Sequence, residues 1–356
     1  MCVFALQLVT SVNAESTEKY LSYFYPERRE ITMAIEPIFV IGSYRSGTSI
    51  LTWSLGQHFN IFPLEETNWI YRLGIYLDCL YSFGTANGEF SNLSSMGIAK
   101  TKFYKSFGKH VHSLILENRV SYLRASLKTE LKKKNLLDLV DLNKLNNIED
   151  FVEYTMEHDL FLPVRSRQDM KKRWIDGTPE NSNFVYCLNL MFPKAKFLFL
   201  IRNPIRVAHS LMNFATVGDR AENYEEEDAY NHWYHLTESC YYSLKAYGTN
   251  KVLLIQHEDL ISQKEMVIKK CLLFLQEEYD ENCLKPFQVV INSSQYDRTK
   301  IDFSIKNGLK SKKKYVQKAC LLYNRVLGDF PHDQRGSLHY YRLLRNRYVQ
   351  QAKYFY

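Results

Sequence analysis

Residues 37–51 read Pro37-Ile38-Phe39-Val40-Ile41-Gly42-Ser43-Tyr44-Arg45-Ser46-Gly47-Thr48-Ser49-Ile50-Leu51, and their order decides the fold class. The β-branched run up to Ile41 is a buried parallel strand, Gly42 to Ser49 a loop, and Ile50, Leu51, Trp53 and Leu55 recur at roughly helical spacing. Two more such units follow. Ala195–Ile201 leads through Arg202-Asn203-Pro204 into a helix with Val207, Ala208, Leu211 and Met212, where proline suits the first turn. Lys251–Ile255 leads through His257-Glu258-Asp259-Leu260 into an amphipathic helix with Val267, Ile268, Leu272, Leu273 and Leu275. Strands alternating with helices predict an α/β fold with a central parallel sheet flanked by helices and ligands at the carboxyl ends of its strands. Residues 72–173 carry a helical pattern and no clear strand, which predicts a helical insertion. A basic and aromatic helical extension follows from about 301 to 356. We expect one domain over 1–356, with a nucleotide-binding core at about 36–300.

Composition narrows the class. The chain has 356 residues, 46% hydrophobic and 24% charged, which excludes a disordered or collagen-like protein. A net charge of +7 favours anionic partners without naming one. Cys2, Cys79, Cys187, Cys240, Cys271, Cys283 and Cys320 are odd in number and contain no C-x-x-C, so their spacing encodes neither a disulfide framework nor a zinc site. No run of 18 apolar residues predicts a membrane-spanning helix. The start, Cys2 to Ala14, imitates a signal peptide but lacks a basic n-region, and a cytoplasmic enzyme is expected, with a lumenal one as the alternative.

The turn between a strand and a helix aims consecutive backbone N–H groups and the positive helix end at one place, which suits an anion. Gly42 and Gly47 have the spacing of a P-loop, but the residue after Gly47 is Thr48 where nucleoside triphosphatases carry Lys. The cation is Arg45, inside the loop, and it suits a bidentate grip on one phosphate or sulfonate. This loop therefore fits a nucleotide without a γ-phosphate, and it lacks the Lys-Ser/Thr pair that holds a magnesium triphosphate, so no metal is expected to be required.

Arg45-Ser46-Gly47-Thr48-Ser49 resembles the 5′-phosphosulfate loop of the sulfotransferase family, whose donor is 3′-phosphoadenylyl sulfate (PAPS) and whose product is adenosine 3′,5′-bisphosphate (PAP). The strand ending in Arg202-Asn203-Pro204, with Ser210 in the next helix, resembles the family's grip on the 3′-phosphate. Pro193-Lys194-Ala195-Lys196 and Gln256-His257-Glu258-Asp259-Leu260 also resemble it, the latter with His257 where Tyr is usual. The resemblance spans about residues 36 to 275. It implies donor binding by Arg45, Ser46, Gly47, Thr48, Ser49, Arg202 and Ser210, and in-line transfer of a sulfuryl group to a hydroxyl or phenol.

Such a transfer needs a base for the acceptor proton and positive groups around the sulfuryl and departing phosphate. The adjacent acids Glu65 and Glu66 follow Phe62-Pro63-Leu64, and neighbouring side chains on a strand face opposite ways. Protein tyrosine sulfotransferases carry a similar Glu-Glu-Thr whose second Glu is the base, which implies Glu66, together with Arg45, as the catalytic pair and Arg72 as a substrate contact. Asn68 departs from their pattern, and a Glu near this loop is shared by membrane-bound glycan sulfotransferases, so tyrosine, glycan and small molecule stay open as acceptors. Trp174-Ile175-Asp176-Gly177-Thr178-Pro179 resembles the stretch that often supplies a catalytic Lys, but here that position is Gly177. Arg45, Arg173 and Lys172 are the candidates to replace its charge. Ser293 or Ser294 resembles a late serine that contacts the bridging oxygen in some members.

Other patterns weigh less. His232, His235 and Glu238 share a helix face and imitate a metal site, but no further ligand is placed. We expect instead a covering helix with Trp233 inward. His209 adjoins Ser210 and has solvent as its alternative neighbour. The region Arg298 to Lys314 resembles a segment that closes over the nucleotide, with a packing role as the alternative, and the basic C-terminus offers peripheral contacts to anions rather than nucleic acid. Two rival functions remain: a P-loop-like kinase, and a catalytically weak nucleotide-binding module that Gly177 would permit.

Overall fold

The structure, a computed structural model, describes residues 36–64, 66–133, 135, 137, 141–158, 171–213, 224–288, 298–329 and 335–355. Glu65, Lys134, Ser293, Ser294 and the signal-like start lie outside the described residues. All the described residues fall within one compact unit, Ile35–Tyr356.

In chain order the elements are β1 (Ile38–Gly42), α1 (Thr48–Leu55), β2 (Ile61–Leu64), α2 (Ile70–Gly84), α3 (Asn92–Ser95), α4 (Lys100–Glu117), α5 (Arg119–Lys133) and α6 (Ile148–Glu157). Then come β3 (Arg173–Asp176), α7 (Val185–Met191), β4 (Lys196–Ile201), α8 (Pro204–Met212), α9 (Glu226–Tyr247), β5 (Val252–Gln256), α10 (His257–Ser262) and α11 (Lys264–Leu275). The extension holds α12 (Ile305–Gly308), α13 (Lys314–Gly328) and α14 (Leu338–Ala352). Five parallel strands form one sheet in the order β2-β3-β1-β4-β5. The chain leaves β1 toward one edge and β4 toward the other, so the loops after these neighbours open the crevice where ligands of such sheets bind.

The sheet is sandwiched because its strands alternate two sets of apolar side chains. Ile38, Val40, Ile175, Leu198, Leu200 and Ile255 pack on α1, α10 and α11 on one face. Phe39, Phe62, Trp174, Phe197 and Phe199 belong to the larger core of the other face with α2, α4, α7, α8, α9, α13 and α14. Aromatic rings carry that side: Phe39 lies 5.4 Å edge-on to Trp174 and 5.5 Å in a stack with Phe197. Each such ring contributes about 1.5–3 kcal/mol by leaving water. Pro63 is tolerated within a strand because β2 is an edge.

Three expected strands are present, each within one or two residues of its reading. The four-residue β3, Arg-Trp-Ile-Asp, gave no strand signal because charged residues stand at both of its ends. The described residues between 72 and 172 contain helices and no strand, as expected.

Lys171 and Arg173 are drawn inward at the amino end of the sheet. Lys171 Nζ donates to the carbonyls of Gly56, His58 and Ile61, while Arg173 donates to Glu36 O, Leu275 O and Glu277. This corrects the expectation that Arg173 or Lys172 replaces the charge of the family's lysine: both stand at the start of β3, at the opposite end of the sheet from the loops.

In the extension, Arg347 of α14 binds Glu238 and donates to His235 O at 2.8 Å, and Tyr348 is buried. The apparent His-Glu metal pattern on α9 is thus one side of a helix–helix clamp, with Trp233 buried as expected. Tyr340 and Tyr341 pack against rings of α9 and α7, while Arg342 and Arg345 stay exposed.

Candidate active site

Each of the five strands delivers a side chain to the same end of the sheet. After β1, Ser46 N–H turns back to Ser43 O at 3.2 Å and their hydroxyls lie 3.0 Å apart, so Ser46 braces the loop. Arg45 is held at φ 63° and Gly47 at φ 95°. A positive φ costs a non-glycine residue roughly 1–3 kcal/mol, and such strain persists only where the surroundings impose it. At Gly47 a Cβ would fall 2.7 Å from His257 Cδ2, so only glycine lets the loop lie on that ring. Helix α1 starts at Thr48 with no side-chain cap, which leaves its first-turn N–H groups for an anion. Ser49 is half-buried on that first turn.

The two loops predicted from sequence to hold phosphates meet directly. Arg45 Nε donates to Ser210 Oγ at 3.1 Å, and Arg202 donates to the Arg45 carbonyl. Arg202 is steadied from behind by buried Trp233, whose indole N–H donates to the Arg202 carbonyl at 3.1 Å. Asn203 caps α8, accepting from Ile205 N–H and Arg206 N–H, with Pro204 at the first helical position. Asn203 also donates to Phe303 O at 2.9 Å, and the Arg206 guanidinium lies 4.1 Å from the Phe303 ring centre. The 298–314 region is thereby seated beside the second loop, and His209 is half-buried near the same ring.

His257, which in sequence is only a departure from the usual Tyr, packs against the first loop beside Gly47. Burial, then Arg202 and Arg206, pushes its pKa down to about 3, so it lies neutral against the loop. No linear signal could have found this, because the contact joins β5 to β1.

Glu66 follows β2, beyond β3 from the loop. Buried Asp176 at the end of β3 accepts from Thr67 Oγ1 (2.8 Å), Thr178 N–H (2.9 Å), Thr178 Oγ1 (2.6 Å) and Asn181 (3.1 Å), while Thr67 N–H donates to Thr178 Oγ1 at 2.9 Å. This knot fixes the backbone next to Glu66. Glu66 is exposed as a residue, and partial desolvation of its carboxyl, then Glu180 and Asp176, raises its pKa to about 7. Tyr44 links this group to the loop: its hydroxyl bonds Glu180, and burial followed by that bond holds the phenol protonated, far above its ordinary value.

A cavity of about 360 Å³ opens beside Glu66 and Thr67, walled by Phe62, Leu64, Trp69, Leu114, Ile115 and Tyr122. Its size and apolar walls match small-molecule sites. Arg72 stays on the outer surface of α2, where Nε donates to the Tyr71 hydroxyl at 3.2 Å.

Gly177 now has a physical account. A Cβ there would lie 2.3 Å from Thr52 Oγ1, so a longer side chain would displace Thr52 of α1. Thr52 Oγ1 is itself buried, without a hydrogen-bond partner among the described residues. Of the three cations considered as replacements for the lysine, only Arg45 stands at the carboxyl end of the sheet.

Among solved structures, the sulfotransferase domain of the Synechococcus PCC 7002 olefin synthase is 19% identical over 90% of this chain and 95% of its own, with a TM-score of 0.40. The sulfotransferase domain from the curacin biosynthetic pathway is 17% identical over 82% and 98%, with a TM-score of 0.44. Retinol dehydratase in complex with androsterone and the inactive cofactor PAP is 12% identical over 90% and 80%, with a TM-score of 0.28. No curated protein matches the chain. A sequence profile described as the sulfotransferase family matches residues 37–281, a stretch that contains both anion loops, Glu66 and His257, and the chain therefore belongs to the sulfotransferase family.

Proposed function

We propose that this protein transfers a sulfuryl group from PAPS to a hydroxyl or phenol, with Glu66 as general base and Arg45 as the principal cation. PAPS supplies the sulfuryl group, whose bond to the nucleotide phosphate breaks as a bond to the acceptor oxygen forms. Glu66 takes the acceptor's proton, and a pKa near 7 suits it to do so near neutral pH. Arg45 and the first-turn N–H groups of α1 hold negative charge at the donor's 5′ end, with Ser46, Gly47, Thr48 and Ser49 shaping that cradle. Arg202 and Ser210 hold the 3′-phosphate. The apolar cavity receives the acceptor, and Arg72, exposed on α2, contacts the substrate from outside that cavity. The observation that carries this reading is the direct contact of Arg45 with Ser210 and of Arg202 with the Arg45 carbonyl, which gathers the groups for one bisphosphorylated nucleotide.

The test is a thermal shift of the full chain with PAP, ATP and magnesium ATP, repeated on Arg45→Ala and Arg202→Ala. PAP at 100 times its Kd adds about 2.7 kcal/mol, a shift of a few degrees, and both variants lose it. Stabilisation by magnesium ATP alone refutes the reading in favour of a kinase. PAP binding with no turnover across a broad acceptor panel reduces the protein to a nucleotide-binding module.

A further inference from the structure

The wall of the cavity beside Glu66 is selective in its chemistry. Phe62, Leu64 and Glu66 stand two residues apart along β2 and its exit, all three line the cavity, and from first to last the chain climbs at most about 13 Å at 3.3 Å per residue. Phe62 and Leu64 are buried, and the Tyr122 ring of α5 stands edge-on to Phe62 at 5.2 Å. Trp69 and Leu114, the latter from the last turn of α4, are 40% and 56% exposed and form the rim. The cavity thus has a buried apolar end at Phe62, a carboxyl at Glu66 and an apolar mouth. Its other polar groups are few and engaged: Thr67 Oγ1 donates to Asp176 at 2.8 Å, and the Asn118 amide donates to Leu114 O at 2.8 Å. Among the described residues no cation lines it, and Arg72 lies outside. A glycan would bring a hydroxyl on nearly every carbon and an acidic peptide several carboxylates, and each such group would give up water here with little to replace it. A hydrocarbon gains by entering.

We propose that the acceptor is a hydroxyl carried on an uncharged hydrocarbon body, an alkylphenol or comparable apolar alcohol, which lies with its hydroxyl at Glu66 and its body along Leu64 and Phe62. The motif shared with protein tyrosine sulfotransferases concerns the base alone, whereas the acceptor is selected by walls that α4 and α5 supply. In the transfer the hydroxyl proton passes to Glu66, the oxygen–sulfur bond forms, and PAP departs with the electron pair of the broken bond, leaving an aryl or alkyl sulfate. That this occupant is the acceptor rests on the proposed function; its binding in the cavity does not.

The experiment titrates 4-methyl-, 4-ethyl- and 4-butylphenol into the full chain by calorimetry, with and without saturating PAP, and then compares them as acceptors with a neutral oligosaccharide and an acidic tyrosine peptide. Each buried methylene is worth up to about fourfold, so affinity should rise about tenfold or more from 4-methylphenol to 4-butylphenol. Leu114→Lys alters an exposed side chain; it should leave Tm unchanged and lose about tenfold of the 4-butylphenol affinity, because it sets a charge beside the hydrocarbon. With PAPS, 4-butylphenol should exceed both polar acceptors in kcat/KM by about tenfold or more. Affinity independent of chain length, undiminished binding in Leu114→Lys, or a higher kcat/KM for the oligosaccharide or the peptide would each overturn the proposal. Chain-length-dependent binding to a protein that PAP does not stabilise would support the cavity's selectivity and refute the nucleotide reading.

Discussion

The raised pKa of Glu66 makes the pH dependence of the reaction a direct probe of the base. With a pKa of about 7, roughly one carboxyl in eleven is ionised at pH 6 and ten in eleven at pH 8, so kcat/KM should rise about tenfold between them. A carboxyl at the ordinary 4.5 would give a flat profile over that range. Because kcat/KM reports the free protein, the limb should be read from initial rates at low acceptor concentration. Glu180→Gln removes the larger of the two charge contributions while keeping an acceptor for Tyr44, so the limb should move to lower pH. Glu66→Gln should lose about 10²–10⁴ in kcat and show no limb. The same shift has a stability consequence of defined sign. A carboxyl whose folded-state pKa lies above 4.5 favours folding below that pH and loses the contribution as pH rises through about 7. The Tm of Glu66→Gln should therefore fall less than wild type between pH 5 and 8. A flat rate profile from pH 6 to 8, or near-normal turnover by Glu66→Gln, would refute the assignment.

Three further substitutions test the supporting geometry. Gly177→Ala should destabilise the protein by about 1–3 kcal/mol in urea denaturation, because its Cβ meets Thr52 Oγ1, and adding Thr52→Ala should recover most of the loss; additive effects would show that the contact is not the cause. Thr67→Val removes a hydrogen bond to the buried Asp176 carboxylate and should cost about 1.5–3 kcal/mol, with kcat falling more than KM changes because the backbone beside Glu66 loosens. Arg347→Ala should lower stability by about 1–3 kcal/mol by leaving Glu238 without its cation, while PAP binding persists.

Sequence alone determined the α/β class and offered the two candidate anion loops, because each is a local device: a strand end, a turn and a helix start lie within about fifteen residues of one another. Arg45 could be named for that reason, whereas Arg202 and Glu66 were named through the resemblance to sulfotransferases; the apolar alternation that buries both faces of the sheet is equally local. Only the tertiary structure decided which charges gather at the carboxyl end of the sheet. Arg173 and Lys172 are plausible cations on paper, but parallel register puts the start of β3 at the far end of the sheet from the loops. His257 packs on Gly47 across more than two hundred residues, Thr52 explains Gly177, and the cavity joins β2 to α4 and α5. Burial and the neighbouring carboxylates that set the Glu66 pKa come from segments distant in the chain. Electrostatics and shape depend on what packs nearby, and that is a property of the folded chain rather than of its order of residues.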